Sequence, residues 1–147
     1  MYYELEEIND ALLRAKESIN SKTGEVNEFT WGYNDCFCFL IEYDKALRSN
    51  KSKAEDIKVE YNNPKEYLLA LRNKGFTLKT FAEYCNYEIR PDLRPQYGDI
   101  GYMDGSAVIA ENGHWVTTDE DNSGIKQGSR YMFLDRRLNL LARPLRS

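Results

Sequence analysis

Residues 29–41 read FTWGYNDCFCFLI, and this stretch decides the fold. Within residues 36–43 only Glu42 is polar, so the pattern predicts a helix that is buried on nearly every side. Asp35 is a residue type that commonly caps a helix, which places Cys36 in the first turn. Because the N-terminus of a helix favours negative charge, Cys36 is a candidate for a reactive thiolate.

The composition is that of one globular domain. The chain has 147 residues, of which 41% are hydrophobic and 30% are charged. A formal net charge of -4 argues against nucleic-acid binding, because nucleic-acid-binding domains are usually basic. No apolar run approaches the ~20 residues of a membrane span. The acidic N-terminus, with Glu4, Glu6 and Glu7, does not fit a signal peptide.

The cysteine usage indicates a reducing compartment. Cys36, Cys38 and Cys85 make an odd number and show no disulfide framework. This fits a protein kept in the cytoplasm, or one exported without a signal peptide. Neither a metal nor a cofactor is expected, since Cys36 and Cys38 are one residue apart and the chain has a single histidine, His114.

Eleven tyrosines are a high count for this length. One interpretation is the compositional bias of a genome rich in tyrosine, asparagine and lysine codons. The other is a tyrosine-rich contact surface, because tyrosine supplies a large contact area at low entropic cost. The sequence leaves both open.

The first part of the chain has a helical pattern. We predict four helices: an amphipathic one over residues 3–21, the buried one over 35–48, one from Asn63-Pro64 to Gly75, and a short one over 77–86. A polar connector through residue 28 and a lysine- and serine-rich loop over 49–56 join the first three. The inner face of the first helix is predicted to consist of Leu5, Ile8, Leu12, Ala15 and Ile19.

Strands are predicted after Pro91 and Pro95, which cannot continue a helix. They cover residues 98–103, 106–111, 114–118, 125–134 and 138–145, with Pro144 at a sheet edge. Asn112-Gly113 between two of them is a strong hairpin signal. Helices followed by an antiparallel sheet give the class α+β.

Two motifs resemble the NlpC/P60 superfamily, and especially a divergent branch from phage tail-gene modules. The first is Trp31-Gly32-Tyr33-Asn34-Asp35-Cys36, similar to the aromatic-Gly-x-x-Asp-Cys start of the cysteine helix in that family. The second is Gly98-Asp99-Ile100, similar to the entry into the first core strand. The resemblance covers residues 29–147 as an NlpC/P60-like domain and leaves residues 1–28, an amphipathic helix and linker, outside it.

The resemblance implies a papain-like core and, in active members, cleavage of peptide or amide bonds in peptidoglycan. Cys36 would be the nucleophile, its own backbone N–H would help hold the oxyanion, and a histidine on the sheet would move the proton. Asp35 and Asp99 are the acidic residues of the two motifs, and each has a simpler structural interpretation. Asp35 caps the helix, while Asp99 caps a loop or pairs with an arginine.

The chain departs from the family where the histidine is expected. The corresponding positions hold Ser106 and Ala107, and neither is a general base near neutral pH. His114 follows seven to eight residues later, where it would pair with Glu111 across the hairpin. Its distance along the strand favours an exposed turn-flanking residue over a catalytic base.

Three functions follow as expectations. The preferred one is a phage tail or virion structural protein whose catalytic set is incomplete and whose partners are other tail or virion proteins, located in the virion or in the host cytoplasm during assembly. The alternative is an active cysteine hydrolase that cleaves peptidoglycan during phage entry or release. Cys36 would be buried as part of the fold in the structural protein and reactive in the hydrolase. A small cytoplasmic binding protein is the third.

Overall fold

Helices precede strands along the chain, which confirms the α+β class. The computed structural model describes residues 1–26, 35–58, 61–63, 65–66, 69–70, 77–103, 106–118, 125–129 and 138–146, with only the backbone of 125–129. Three α-helices are resolved in these ranges: α1 (Leu5–Val26), α2 (Cys36–Arg48) and α3 (Leu78–Tyr84). Two short 3₁₀ helices, Ser49–Lys51 and Ala54–Ile57, replace the predicted loop after α2.

Helix α1 is longer than predicted and its buried face differs by one residue. It continues through Gly24 to Val26, and near this end Lys22 forms an ion pair at 3.2 Å with Glu42 of α2. Leu5 is 65% exposed, contrary to the prediction. The buried face consists of Ile8, Ala11, Leu12, Ala15 and Ile19.

Helix α2 is the centre of the core, as its apolar sequence predicts. Asp35 is its N-cap, and the Asp35 Oδ1 atom accepts a hydrogen bond of 2.9 Å from the backbone N–H of Cys38. Its buried residues are Phe37, Cys38, Phe39, Leu40, Ile41, Tyr43, Asp44 and Arg48. Of these, Tyr43 and Asp44 have no exposed surface. The apolar side chains of α1 pack against α2 in the same core. The domain boundary at residue 28 stays a prediction.

Six strands form one antiparallel sheet within the described residues: β1 (Tyr87–Ile89), β2 (Ile100–Met103), β3 (Ser106–Glu111), β4 (His114–Thr118), β5 (Ile125–Ser129) and β6 (Leu138–Pro144). Their order in the sheet is β1-β6-β2-β3-β4-β5. The hairpin β3–β4 is confirmed, with Glu111 opposite His114.

Two strand predictions were wrong. Strand β1 was not predicted, because three residues between a helix and a proline turn carry too little alternation to indicate a strand. Pro144 does not belong to an edge strand, since β6 runs between β1 and β2. Pro144 is tolerated because it is the last residue of β6. It pairs with Tyr87 of β1, whereas the pairing of β6 with β2 ends at Ala142, opposite Ile100.

The sheet has two apolar faces. One face packs against α1 and α2 and includes Ile100, Ala107, Ile109, Val116 and Ala142. The opposite face holds a separate buried cluster of Met103, Val108, Ala110, Trp115, Leu138 and Leu141. The alternation along each strand therefore decides whether a side chain can reach α2.

Gly98 allows α1 to approach the sheet closely. It has a φ of +91°, and a Cβ atom there would collide with the side chain of Ile8. Its carbonyl accepts a hydrogen bond of 2.7 Å from the Tyr43 hydroxyl of α2. The glycine of the second motif thus joins both helices to the start of β2.

Several predicted features lie outside the described residues. They are the motif residues 31–34, most of the third helix and its end at Gly75, and the strand residues 130–134. At the start of that helix, Asn63 Oδ1 accepts a hydrogen bond of 2.9 Å from the backbone N–H of Glu66, which is the predicted cap. In the described part of the chain, no helix is both long and apolar enough to cross a membrane.

Candidate functional site

The side chain of Cys36 points at the start of strand β3. The Cys36 Sγ atom lies 3.4 Å from the backbone nitrogen of Ala107, which donates to it. Cys36 is the first residue of α2, and Ala107 is the first residue of β3 on the face that packs against α2. The residue whose backbone contacts the thiol therefore carries only a methyl side chain.

The surroundings of Cys36 favour the protonated thiol. Burial and the neighbouring Asp35 carboxylate together raise the pKa of Cys36 to about 12. Hydrogen bonds from the backbone N–H groups of Ala107, Cys36 and Phe37 act in the opposite direction, but they do not outweigh these two causes. A thiol with such a pKa is almost entirely protonated near neutral pH, and the thiolate is the nucleophilic form.

Asp35 is occupied by structural contacts. One carboxylate oxygen caps α2, and the other accepts a hydrogen bond of 2.5 Å from the hydroxyl of Tyr61. Asp35 is 1% exposed, so it is satisfied by hydrogen bonds rather than by water. Tyr61 is a part of this site that the sequence did not indicate, because it lies in an irregular segment 26 residues away.

His114 lies away from Cys36. It pairs with Glu111, four residues beyond Ala107 on β3, which corresponds to about 13 Å along the strand. His114 Nε2 lies 3.5 Å from Glu111 Oε2, and Lys16 of α1 forms a 2.6 Å ion pair with the same oxygen. His114 is half-buried rather than exposed, because α1 covers this end of the hairpin. The Glu111 pairing predicted from the turn is confirmed.

Asp99 is also distant from Cys36. Its backbone carbonyl accepts from Ala110, three residues along β3 from Ala107, or about 10 Å. Both of its carboxylate oxygens accept from Arg143 at 2.9 Å, and one also accepts from the backbone N–H of Gln96 at 2.8 Å. The structure thus shows both structural roles predicted for Asp99, a loop cap and an arginine pair. Arg143 shares a sheet face with Leu141, away from α2.

The remaining cysteines belong to the core. Cys38 and Cys85 are each 3% exposed, and burial raises the pKa of Cys85 to about 12 and that of Cys38 further. Both are free thiols. Across the described ranges, no group of three or more histidine, cysteine, aspartate or glutamate side chains is arranged to hold a metal ion.

Comparison with known proteins identifies a family. A family model described as a domain of unknown function, DUF6950, matches residues 17–144. The chain belongs to this family. No curated protein and no solved structure matches the chain.

The DUF6950 match contains the cysteine site and the predicted site residues Asp35, Asp99 and His114. It begins inside α1 and ends at the last residue of β6, so it includes Cys36, its neighbour Ala107, and the Asp99–Arg143 pair. The contacts at Cys36 are therefore made by residues of the DUF6950 domain alone.

Proposed function

We propose that the protein acts by contact rather than by catalysis, as a structural or assembly component of a phage tail or virion. On this proposal it has an NlpC/P60-like, papain-like fold with an incomplete catalytic site. Its partners would be other tail or virion proteins, and it would be found in the virion or in the host cytoplasm during assembly.

The contact between Cys36 and Ala107 carries the non-catalytic part of the proposal. An NlpC/P60 enzyme needs a histidine at the strand start that faces the cysteine, and in this chain that strand start faces the sulfur with an alanine. The raised pKa of the thiol, caused by desolvation and by the Asp35 carboxylate, is also what a cysteine that does not act as a nucleophile would show. Ser106 does not substitute, because it pairs with Met103, whose side chain lies on the other sheet face.

The contact positions also support an NlpC/P60-like arrangement. The resemblance implies that the first turn of the cysteine helix faces the strand after Gly98-Asp99-Ile100. Cys36 makes this contact with β3, which directly follows β2 in the chain and in the sheet. The assignment to phage particles is supported only by the two motifs, which resemble those of phage tail-gene modules.

Alkylation of Cys36 tests the absence of catalysis. The folded protein is treated with iodoacetamide between pH 4 and pH 9, and peptide mapping separates Cys36 from Cys38 and Cys85. We expect slow labelling of Cys36 that rises only at the alkaline end, since its pKa is about 12. Urea-unfolded protein is the control for full accessibility.

Fast labelling with an inflection below about pH 7 would support the alternative, an active cysteine hydrolase that cleaves peptidoglycan. In that case His114→Ala shows whether the base is His114: a hydrolase that uses it would lose the fast labelling. We expect His114→Ala to leave the slow profile of Cys36 unchanged.

Mass spectrometry of purified particles tests the virion assignment. We expect peptides of this chain in phage particles purified from a host that produces it, at a fixed ratio to a known tail protein. Its absence from the particles, with the protein abundant in the lysate, would contradict a virion role and favour the small cytoplasmic binding protein.

A further inference from the structure

A cleft lies between the C-terminal end of α2 and the C-terminal end of α3. Its volume is about 710 Å³, which is within the range of small-molecule sites. Arg48, on its wall, is twelve residues from Cys36, or about 18 Å along the helix. This cleft, called the lysine cleft after Lys51 and Lys53 on its wall, is therefore separate from the cysteine site. Its polar wall residues include Arg48, Asn50, Lys51, Lys53, Glu83 and Asn86.

The lysine cleft carries two lysines, Lys51 and Lys53, that form no ion pair among the described residues. Among the described residues, neither Lys51 nor Lys53 has a carboxylate within ion-pair distance, and Lys53 Nζ lies 5.7 Å from the ring centroid of Tyr84. The other charges on the walls are paired. Arg48 forms a 2.9 Å ion pair with the buried Asp44, and Glu83 lies 3.9 Å from Lys79.

Arg48 holds the two walls of the lysine cleft in a fixed relation. Its guanidinium donates to the backbone carbonyl of Asn86, after α3, at 3.1 Å, and to that of Leu145 at 2.7 Å. The same group lies 5.1 Å from the ring centroid of Tyr87. Because Arg48 is 5% exposed, these contacts form inside the protein and position the walls before any ligand binds.

We propose that the lysine cleft binds a small molecule that carries phosphate or carboxylate groups, held between the ammonium groups of Lys51 and Lys53. Cationic groups that lack a protein partner are the recognition element for such an anion. This proposal is independent of the proposed function.

Titration with pyrophosphate and with citrate tests the proposal. The full-length protein, labelled with ¹⁵N, is followed by NMR while each anion is added to about 10 mM, the range of weak binding. We expect saturable shifts in the amide signals of residues 48–53 and 83–86, and weaker binding as salt is added. The double variant K51Q/K53Q should reduce the affinity by about tenfold or more.

The matched control is K58Q/K65Q, which removes the same charge from two exposed lysines outside the cleft. It should retain the affinity of the wild-type protein. An equal loss in both double variants would overturn the proposal, because it would show general charge attraction. Shifts that do not saturate would overturn it too, as would binding of an acidic peptide such as hexaglutamate with no response to either small anion.

Discussion

The backbone nitrogen of Ala107 lies 3.4 Å from the sulfur of Cys36. This contact joins the first turn of α2 to the first residues of β3, and on the proposed NlpC/P60-like arrangement this is the place that a catalytic base would occupy. The methyl group of Ala107 can neither accept a proton nor stabilise a thiolate. The methyl group of Ala107 therefore does not offset burial and the Asp35 carboxylate, which together raise the pKa of Cys36.

Ala107→His is expected to make Cys36 reactive. An imidazole at this position would stand on the sheet face that packs against α2, at the residue whose backbone contacts the sulfur. It should therefore lower the pKa of Cys36 from about 12 and increase alkylation at pH 7 by at least about tenfold. Iodoacetamide labelling with peptide mapping measures the rate. Thermal unfolding checks the fold, because a larger side chain at a site that is 6% exposed costs about 1–3 kcal/mol.

Two variants serve as controls for Ala107→His. Ser106→His adds an imidazole one residue away on the other sheet face, and Ala107→Asn adds bulk without a titrating group. Neither should accelerate labelling. Equal acceleration by Ser106→His would mean that β3 does not face the thiol as described.

Asp35→Asn separates the two roles of this carboxylate. The amide oxygen can still cap α2, whereas the negative charge that raises the pKa of Cys36 is lost, so we expect that pKa to fall. Asp35→Ala removes the cap and leaves the Tyr61 hydroxyl without this acceptor, and we expect a loss of about 2 kcal/mol or more in urea unfolding.

Thr77→Ala is the comparison for Asp35→Ala. Thr77 caps α3 through a 3.1 Å hydrogen bond from Thr80, but it is exposed, so its loss should cost only about 1 kcal/mol. If Asp35→Ala costs no more than Thr77→Ala, the buried hydrogen bond to Tyr61 does not contribute to stability.

Asp99→Ala is expected to destabilise the protein without changing the chemistry of Cys36. The substitution leaves the largely buried guanidinium of Arg143 without its carboxylate, which costs about 3–5 kcal/mol. Urea unfolding measures this loss, and Asp92→Ala, at an exposed surface pair with Arg90, should cost less than about 1 kcal/mol. Altered labelling of Cys36 in folded Asp99→Ala would indicate a connection to the thiol site that the contacts do not show.

The protein should lose stability at alkaline pH. Burial raises the pKa of Cys85 from 9.0 to about 12, so between these values the unfolded chain has lost a proton that the folded chain retains. The stabilisation from this thiol is complete below pH 9 and is lost as the pH rises towards 12. At pH 10 it has fallen by about 1.4 kcal/mol.

Urea unfolding at pH 7 and pH 10 under reducing conditions measures this loss, with Cys85→Ala as the comparison. The variant lacks the thiol, so its stability should fall by about 1.4 kcal/mol less than that of the wild-type protein over this interval. A cavity left by the substitution lowers the free energy of unfolding of the variant equally at pH 7 and at pH 10. It therefore does not affect the difference between the two pH values. An identical fall in both proteins would contradict a raised pKa at Cys85.

Local sequence patterns were sufficient for much of the fold. The helix from Cys36 to Arg48, the caps Asp35 and Thr77, and the β3–β4 hairpin were predicted with the bounds that the structure shows. Each depends on neighbouring residues: an apolar run, a capping side chain, or an Asn-Gly turn that matches strand twist. Strand β1 was missed because its pairing with β6 joins residues more than fifty positions apart.

The sequence by itself determined that Cys36 begins a buried helix and that only one histidine is present. Only the tertiary structure decided what the cysteine faces, because sheet register brings Ala107 to the sulfur and carries His114 and Asp99 about 10 Å or more along the strands. Register is a property of strand pairing across the whole sheet. A motif can therefore indicate a nucleophile, while its base depends on contacts between distant parts of the chain.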